Sequence, residues 1–266
     1  SPPLSRHFPA KPMPLLRHIL SLVPGLAAAL LFIVALRDPL NAPPLFVVWL
    51  VVFLVSFIIV SGKEARPGAF WFLAVPPVAL VFGTCAFLFL LENRGVGIAV
   101  AVGTSMLTAL FGYTQFLFVR QPARYQSYSL ESLSLAANLA AFFLIGASIL
   151  GYVSLLSLPQ WVVASTVLGV AGLLVAETLW VSKVRGERLP GLVIAGSLLL
   201  AEAAVALLLL PVSFLVAGAA LAVTYYAVVG LLRAHALSAC GVRVVQRYVG
   251  VALVAVVVIV GTARWI

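Results

Sequence analysis

Charge is what this chain has least of. Only 9% of its 266 residues are Asp, Glu, Lys or Arg, against roughly 25% in ordinary soluble proteins. From residue 192 to residue 232, a run of 41 residues, the single charged side chain is Glu202. Several other stretches of about 20 apolar residues, the length that crosses a bilayer, carry none. A soluble core cannot use that much apolar surface. Polar stretches are short as well: none exceeds about 20 residues, where a soluble domain needs about 50. Residues 15–266 therefore read as one transmembrane helical domain.

Other scarcities exclude chemistry. The two cysteines, Cys85 in an apolar span and Cys240 in a basic loop, lie at different levels, so neither a disulfide nor a metal pair is expected. Cys85 reads as a small packing residue. The three histidines, His7, His18 and His235, have no metal or haem spacing. There is no Gly-rich phosphate loop, paired-Asp motif, Ser–His arrangement or HExxH. No cofactor is expected, and an enzyme is the weakest functional reading. Its best support is a pair of acids expected on the outer face, Asp38 and Glu92. Each has an arginine nearby, Arg37 and Arg94, and reads as a solvated loop pair. The net charge of +9 does not indicate nucleic-acid binding. The basic residues stand singly between apolar spans, as membrane orientation requires.

What is present is a topology. Residues 1–14 hold five prolines and are expected to form a disordered basic arm. The apolar run after Arg17 ends in Val34-Ala35-Leu36-Arg37-Asp38, not in a small-x-small cleavage site, so it reads as a retained helix. Nine spans follow from hydropathy: Ile19–Leu36, Leu45–Val60, Phe70–Leu91, Val96–Val119, Leu133–Leu155, Trp161–Val181, Leu192–Leu210, Phe214–Leu232 and Tyr248–Thr262. The long run is divided at Pro211, which cannot donate to the preceding turn and disfavours helix at Leu210. With the N-terminus inside, thirteen of the sixteen basic residues fall on the inner side. Merging the run into one helix weakens that bias, so the expectation is an all-α bundle of nine helices, N-in and C-out. Trp161 and Trp265 at outer ends, Trp71 and Trp180 at inner ends, and Trp49 slightly inside fit an aromatic belt.

Glu202 is the eleventh residue of its 19-residue span, near the midplane, where a charge costs at least about 2.5–3.5 kcal/mol. It must be protonated, paired, or facing water or protein. Alanines around it let neighbouring helices approach. The inner half of the membrane is expected to hold Tyr113, Gln115, Asn138, Glu177, Thr224, Tyr225 and Tyr226. Tyr225 or Tyr226, one helix on, is the expected partner of Glu202 in a polar pocket open to the inside. Glu177 lies about 6 Å from its helix end, so its carboxylate is expected to reach water by itself. The Pro76-Pro77 pair is expected to kink the third helix. Arg233, Arg243 and Arg247 read as anchors for anionic lipid headgroups on the inner side. Small-xxx-small spacings at Ser165–Gly169 and Gly218–Ala222 read as helix-packing sites.

The C-terminal half, with Leu210-Pro211-Val212-Ser213-Phe214, Tyr225-Tyr226, Gly230-Leu231-Leu232-Arg233 and Thr262-Ala263-Arg264-Trp265, resembles a family of small polytopic bacterial inner-membrane proteins of uncharacterised function. The resemblance covers about the last 150 residues. It implies a bacterial inner-membrane location and transfers no activity. Three functional classes follow, in order. The first is a non-catalytic membrane subunit or scaffold, with a membrane-protein partner or a homo-oligomer. The second is a carrier of a small molecule, ion or lipid built around Glu202. The third is a lipid-handling enzyme.

Overall fold

The computed structural model describes residues 15–62, 69–184, 186, 189–237 and 241–261. The N-terminal arm, Lys63, Arg66, Arg185, Arg188, Cys240, Arg264 and Trp265 lie outside the described residues.

Among the described residues the chain is helical throughout, with nine helices long and apolar enough to cross a membrane. They are α1 (Leu15–Ala35), α2 (Ala42–Ser61), α3 (Val75–Leu88), α4 (Arg94–Arg120), α5 (Ser129–Leu156), α6 (Gln160–Val181), α7 (Leu189–Leu208), α8 (Phe214–Ala236) and α9 (Val242–Gly261). The molecule is an integral membrane protein by this construction. In hydrocarbon every backbone amide must bond within its own segment, and helices do so.

Most helices run a few residues past the apolar segments, because their ends take polar and charged residues. α4 starts at Arg94 and ends at Arg120. Asn93 caps it, accepting from the amides of Gly95 (2.9 Å) and Val96 (3.2 Å), two donors the first turn leaves free. The division of the long apolar run falls where proline places it: α7 stops at Leu208, and α8 begins at Phe214 behind Ser213, which caps the Val216 amide.

Pro76-Pro77 does not kink a helix. The chain enters through a 3-10 segment, Ala69–Ala74, and the prolines sit in the first turn of α3. There a missing N–H costs nothing and the fixed φ suits the helix. Six 3-10 residues and fourteen α residues span together about 33 Å, enough for a hydrocarbon core of about 30 Å.

Alternation gives the bundle two ends. The near end, where α1 begins, gathers the ends of α2, α4, α6 and α8 and the starts of α3, α5, α7 and α9. The far end holds the rest. α1 packs on α2 and α4, α3 on α5, α5 on α8, and α6 on α7. One core cluster draws mainly on α1–α4 and a second on α5–α8, with a third joining α3 to α5. Close seams rely on small residues. A Cβ on Gly25 would meet Ala109 at 2.5 Å, and one on Gly218 would meet Ala147 at 2.6 Å, so α1–α4 and α5–α8 approach where only glycine fits. In α2, Phe46, Trp49, Phe53 and Phe57 recur at helical spacing and form a ladder of rings 5.3–5.7 Å apart. Trp49 is 2% exposed and donates to the Pro24 carbonyl at 3.0 Å. It is a core residue, not part of the belt. Trp161 and Trp71 are exposed at the far and near ends, while Trp180, partly buried, stacks on Phe72.

Candidate functional site

The polar residues within the spans separate into several places. The most enclosed is a knot between α5, α6 and α8. On α5, Ser134, Asn138 and Phe142 follow at four-residue intervals and share one face. The Ser134 hydroxyl donates to Glu177 Oε1 at 2.5 Å. The Asn138 amide donates to Glu177 Oε2 and to Thr178 Oγ1 at 2.9 Å. Thr178 also donates to the Leu174 carbonyl at 2.8 Å and lies 3.3 Å from the Tyr225 hydroxyl on α8. The Tyr225 ring stacks on Phe142 with centroids 4.6 Å apart. Glu177, Asn138 and Tyr225 are each 0% exposed. Asn138 Oδ1 is buried and has no hydrogen-bond partner among the described residues.

The expectation that Glu177 reaches water is overturned. The carboxylate is close to the helix end, but it points into the bundle, where Ser134 and Asn138 meet both of its oxygens. Depth set the expectation; helical direction decides the outcome. Ser134 and Thr178, which complete the knot, escaped the sequence reading. Their only signal is that each falls one turn from, or next to, a polar residue already noticed.

Glu202 belongs elsewhere. The packed stripe of α7 is Gly196, Ser197, Leu200, Ala201 and Ala204. Glu202 falls on the opposite stripe with Leu198, Leu199 and Ala206, all exposed. It stands six residues before the end of α7, about 9 Å below the far end and so in the far half of a core about 30 Å thick. The expected pocket of Glu202 with Tyr225 is therefore absent: Tyr225 faces α5 and α6, and Glu202 faces away from the bundle. Instead Glu202 lines an open apolar groove of about 670 Å³ between α6 and α7, with Trp161, Ala164, Ser165, Leu168 and Ala206. Of the two small-residue spacings, Gly218–Ala222 is used against α5, while Ser165 and Gly169 are exposed and a Cβ on Gly169 would enter open space.

The remaining candidates occupy separate seams. Gln115 is buried and donates to Ser61 Oγ at 3.3 Å, tying α4 to α2. Beside it the Arg120 Nε donates to the Val60 carbonyl at 2.8 Å. A cation thus meets a free carbonyl at a helix C-terminus, and Gly62, at φ 57°, leaves room for the guanidinium. Tyr226 lies in the α8–α9 seam, its ring 5.6 Å from Tyr248. Arg243 and Arg247 are exposed one turn apart in α9, and Arg233, partly buried, stands in the last turn of α8. Asp38 and Glu92 are exposed. Neither forms an ion pair among the described residues, where the one pair is Lys183–Glu131 at 3.9 Å; Asp38 instead accepts from Asn41 at 2.6 Å.

No cluster of three or more His, Cys, Asp or Glu side chains able to hold a metal occurs among the described residues. Comparison with known proteins finds no matching family model, no matching curated protein and no matching solved structure.

Proposed function

We propose that this chain is a non-catalytic subunit or scaffold of a membrane assembly, and that it receives a partner's transmembrane helix in the α6–α7 groove. The observation that carries the reading is Glu202, exposed within that groove in the far half of the bundle. An acid facing lipid costs about 2.5–3.5 kcal/mol at a span centre. A helix that brings a basic or amide group to it removes that cost. Ala164, Ser165 and Ala206 in the groove, with Gly169 beside them, let such a helix approach closely. Among the described residues no basic or amide side chain of this chain faces lipid at that depth, which favours a different protein as the partner.

The test is native mass spectrometry of the protein taken from its own membrane in nanodiscs. A stoichiometric second protein, lost on Glu202→Ala or on Ala206→Leu, is the expected result. A lone monomer, or a dimer of this chain indifferent to Glu202, would overturn the proposal. The orientation that fits best is N-in and C-out in a bacterial inner membrane, which puts the near end, with Arg233, Arg243 and Arg247, against anionic headgroups.

A second reading, an ion or small-molecule carrier, has its support at Glu177 rather than at Glu202. Enclosed acids in spans are functional by default, and Asn138 Oδ1 leaves an acceptor free beside the carboxylate. Flux into proteoliposomes that falls on Glu177→Gln and survives Glu202→Gln would move this reading to first place.

A further inference from the structure

A cleft of about 460 Å³ opens at the near end, between the α4–α5 connection and the end of α6. Four aromatic side chains line it: Phe118, Tyr125, Tyr128 and Trp180. Glu131, in the first turn of α5, and Lys183, just past α6, are its charged lining residues. The Glu131 side chain is 15% exposed and that of Lys183 is 80% exposed, with the two groups 3.9 Å apart. Lys183 reaches only Oε1. Glu131 Oε2 is buried and has no hydrogen-bond partner among the described residues.

A carboxylate oxygen removed from water without a donor is costly. A place in the first helical turn favours a negative charge there. The backbone bordering the cleft turns sharply at two helix ends. Tyr128 (φ 67°) and Lys183 (φ 63°) are two of the three non-glycine residues with positive φ among those described. Both stand at helix ends: Tyr128 precedes α5, and Lys183 closes α6 in a left-handed cap in which the Val184 amide returns to the Leu179 carbonyl at 3.0 Å.

Aromatic side chains beside a carboxylate are suited to an ammonium ion. The ring quadrupoles attract the cation, and the carboxylate neutralises it. Lys183 at the mouth suits an anionic group just beyond that ammonium. We propose that the cleft binds a zwitterionic amine, with its ammonium among the aromatic rings beside the Glu131 carboxylate and its anionic group on Lys183. Ammonium–phosphate compounds have this chemistry, either as an amine-bearing phospholipid headgroup or as a free phosphoamine. The cleft lies about one helical turn beyond the Glu177 knot, since Glu131 precedes Ser134 by three residues and Val181 follows Glu177 by four. The inference is independent of the groove at Glu202.

The test uses the full chain in nanodiscs of phosphatidylglycerol, with phosphatidylethanolamine added at a tenth of the lipid. In native mass spectrometry, retained phosphatidylethanolamine above its share of the mixture, reduced about tenfold in Glu131→Gln, is the expected result for a lipid source. Saturable binding of phosphoethanolamine by calorimetry in phosphatidylglycerol discs, weakened about as much by Glu131→Gln, identifies the free compound. Lys183→Ala should weaken phosphoethanolamine and leave tetramethylammonium unchanged, which separates a seated zwitterion from a nonspecific cation site. Trp180→Leu should weaken both. Glu131→Gln keeps the size and first-turn position of the side chain, and its melting temperature confirms folding. Retention of the two lipids in proportion to the mixture, with no binding of phosphoethanolamine, would overturn the proposal. So would affinity unchanged in Glu131→Gln.

Discussion

Two acids stand on consecutive helices and live in opposite worlds. Glu177 on α6 lies near a helix end and is sealed among donors from α5. Glu202 on α7 lies deeper in its span and is open to whatever surrounds the bundle. Depth alone would assign them the reverse environments. What separates them is rotational position: Glu177 falls on the stripe where α6 meets α5, and Glu202 on the stripe that α7 turns outward. In a membrane bundle, the face on which an acid sits decides its role before its depth does.

The comparison can be broken most strongly at Glu177. Glu177→Ala strands the Ser134 and Asn138 donors, each costing about 1–3 kcal/mol. A loss of roughly 2–5 kcal/mol in unfolding from detergent is expected, with a marked fall in melting temperature. Asn138→Leu comes next, at about 1–3 kcal/mol, because it removes two bonds but also the orphaned Oδ1. Ala201→Glu in the Glu202→Ala background moves the acid onto the packed stripe, where Ala201 is 6% exposed. It should destabilise the fold by about 1–3 kcal/mol, read as a lowered melting temperature, where Glu202→Ala alone leaves it unchanged. Tyr225→Phe gives up one long bond of 3.3 Å and keeps the ring on Phe142, for about 0.6 kcal/mol. Glu202→Gln should alter the stability of the isolated protein by no more than about 0.5 kcal/mol and show its effect only in association. Equal melting losses from Glu177→Ala and Glu202→Ala would erase the distinction.

The nine spans and the break at Pro211 were legible in the sequence, because apolar length and proline geometry are local properties. Helix phase was not. α7 is apolar nearly all round, so it presents no amphipathic stripe to read. The alanines beside Glu202 suggested close packing around it. The residues that in fact mark the packed face are Gly196, Ser197, Ala201 and Ala204, and a Cβ on Gly196 would meet Leu232 at 2.6 Å. Asn138, Glu177 and Tyr225 were singled out one by one, yet their convergence depends on how three helices meet, which no local pattern records. The Pro76-Pro77 pair was misread for a related reason. A long apolar run hides where a helix starts, and the same prolines that kink a helix interior begin one comfortably.

α9 carries a last consequence. Its apolar stretch, Val242–Ile259, has none of its residues buried inside the molecule, and it leans chiefly on α8, through contacts such as Tyr226 with Tyr248. Helices α1–α8 already contain both main cores and every bond of the Glu177 knot. During synthesis, where earlier segments fold first, the body of the protein can therefore be complete before the ninth helix leaves the ribosome. That helix then docks on a body that has already folded.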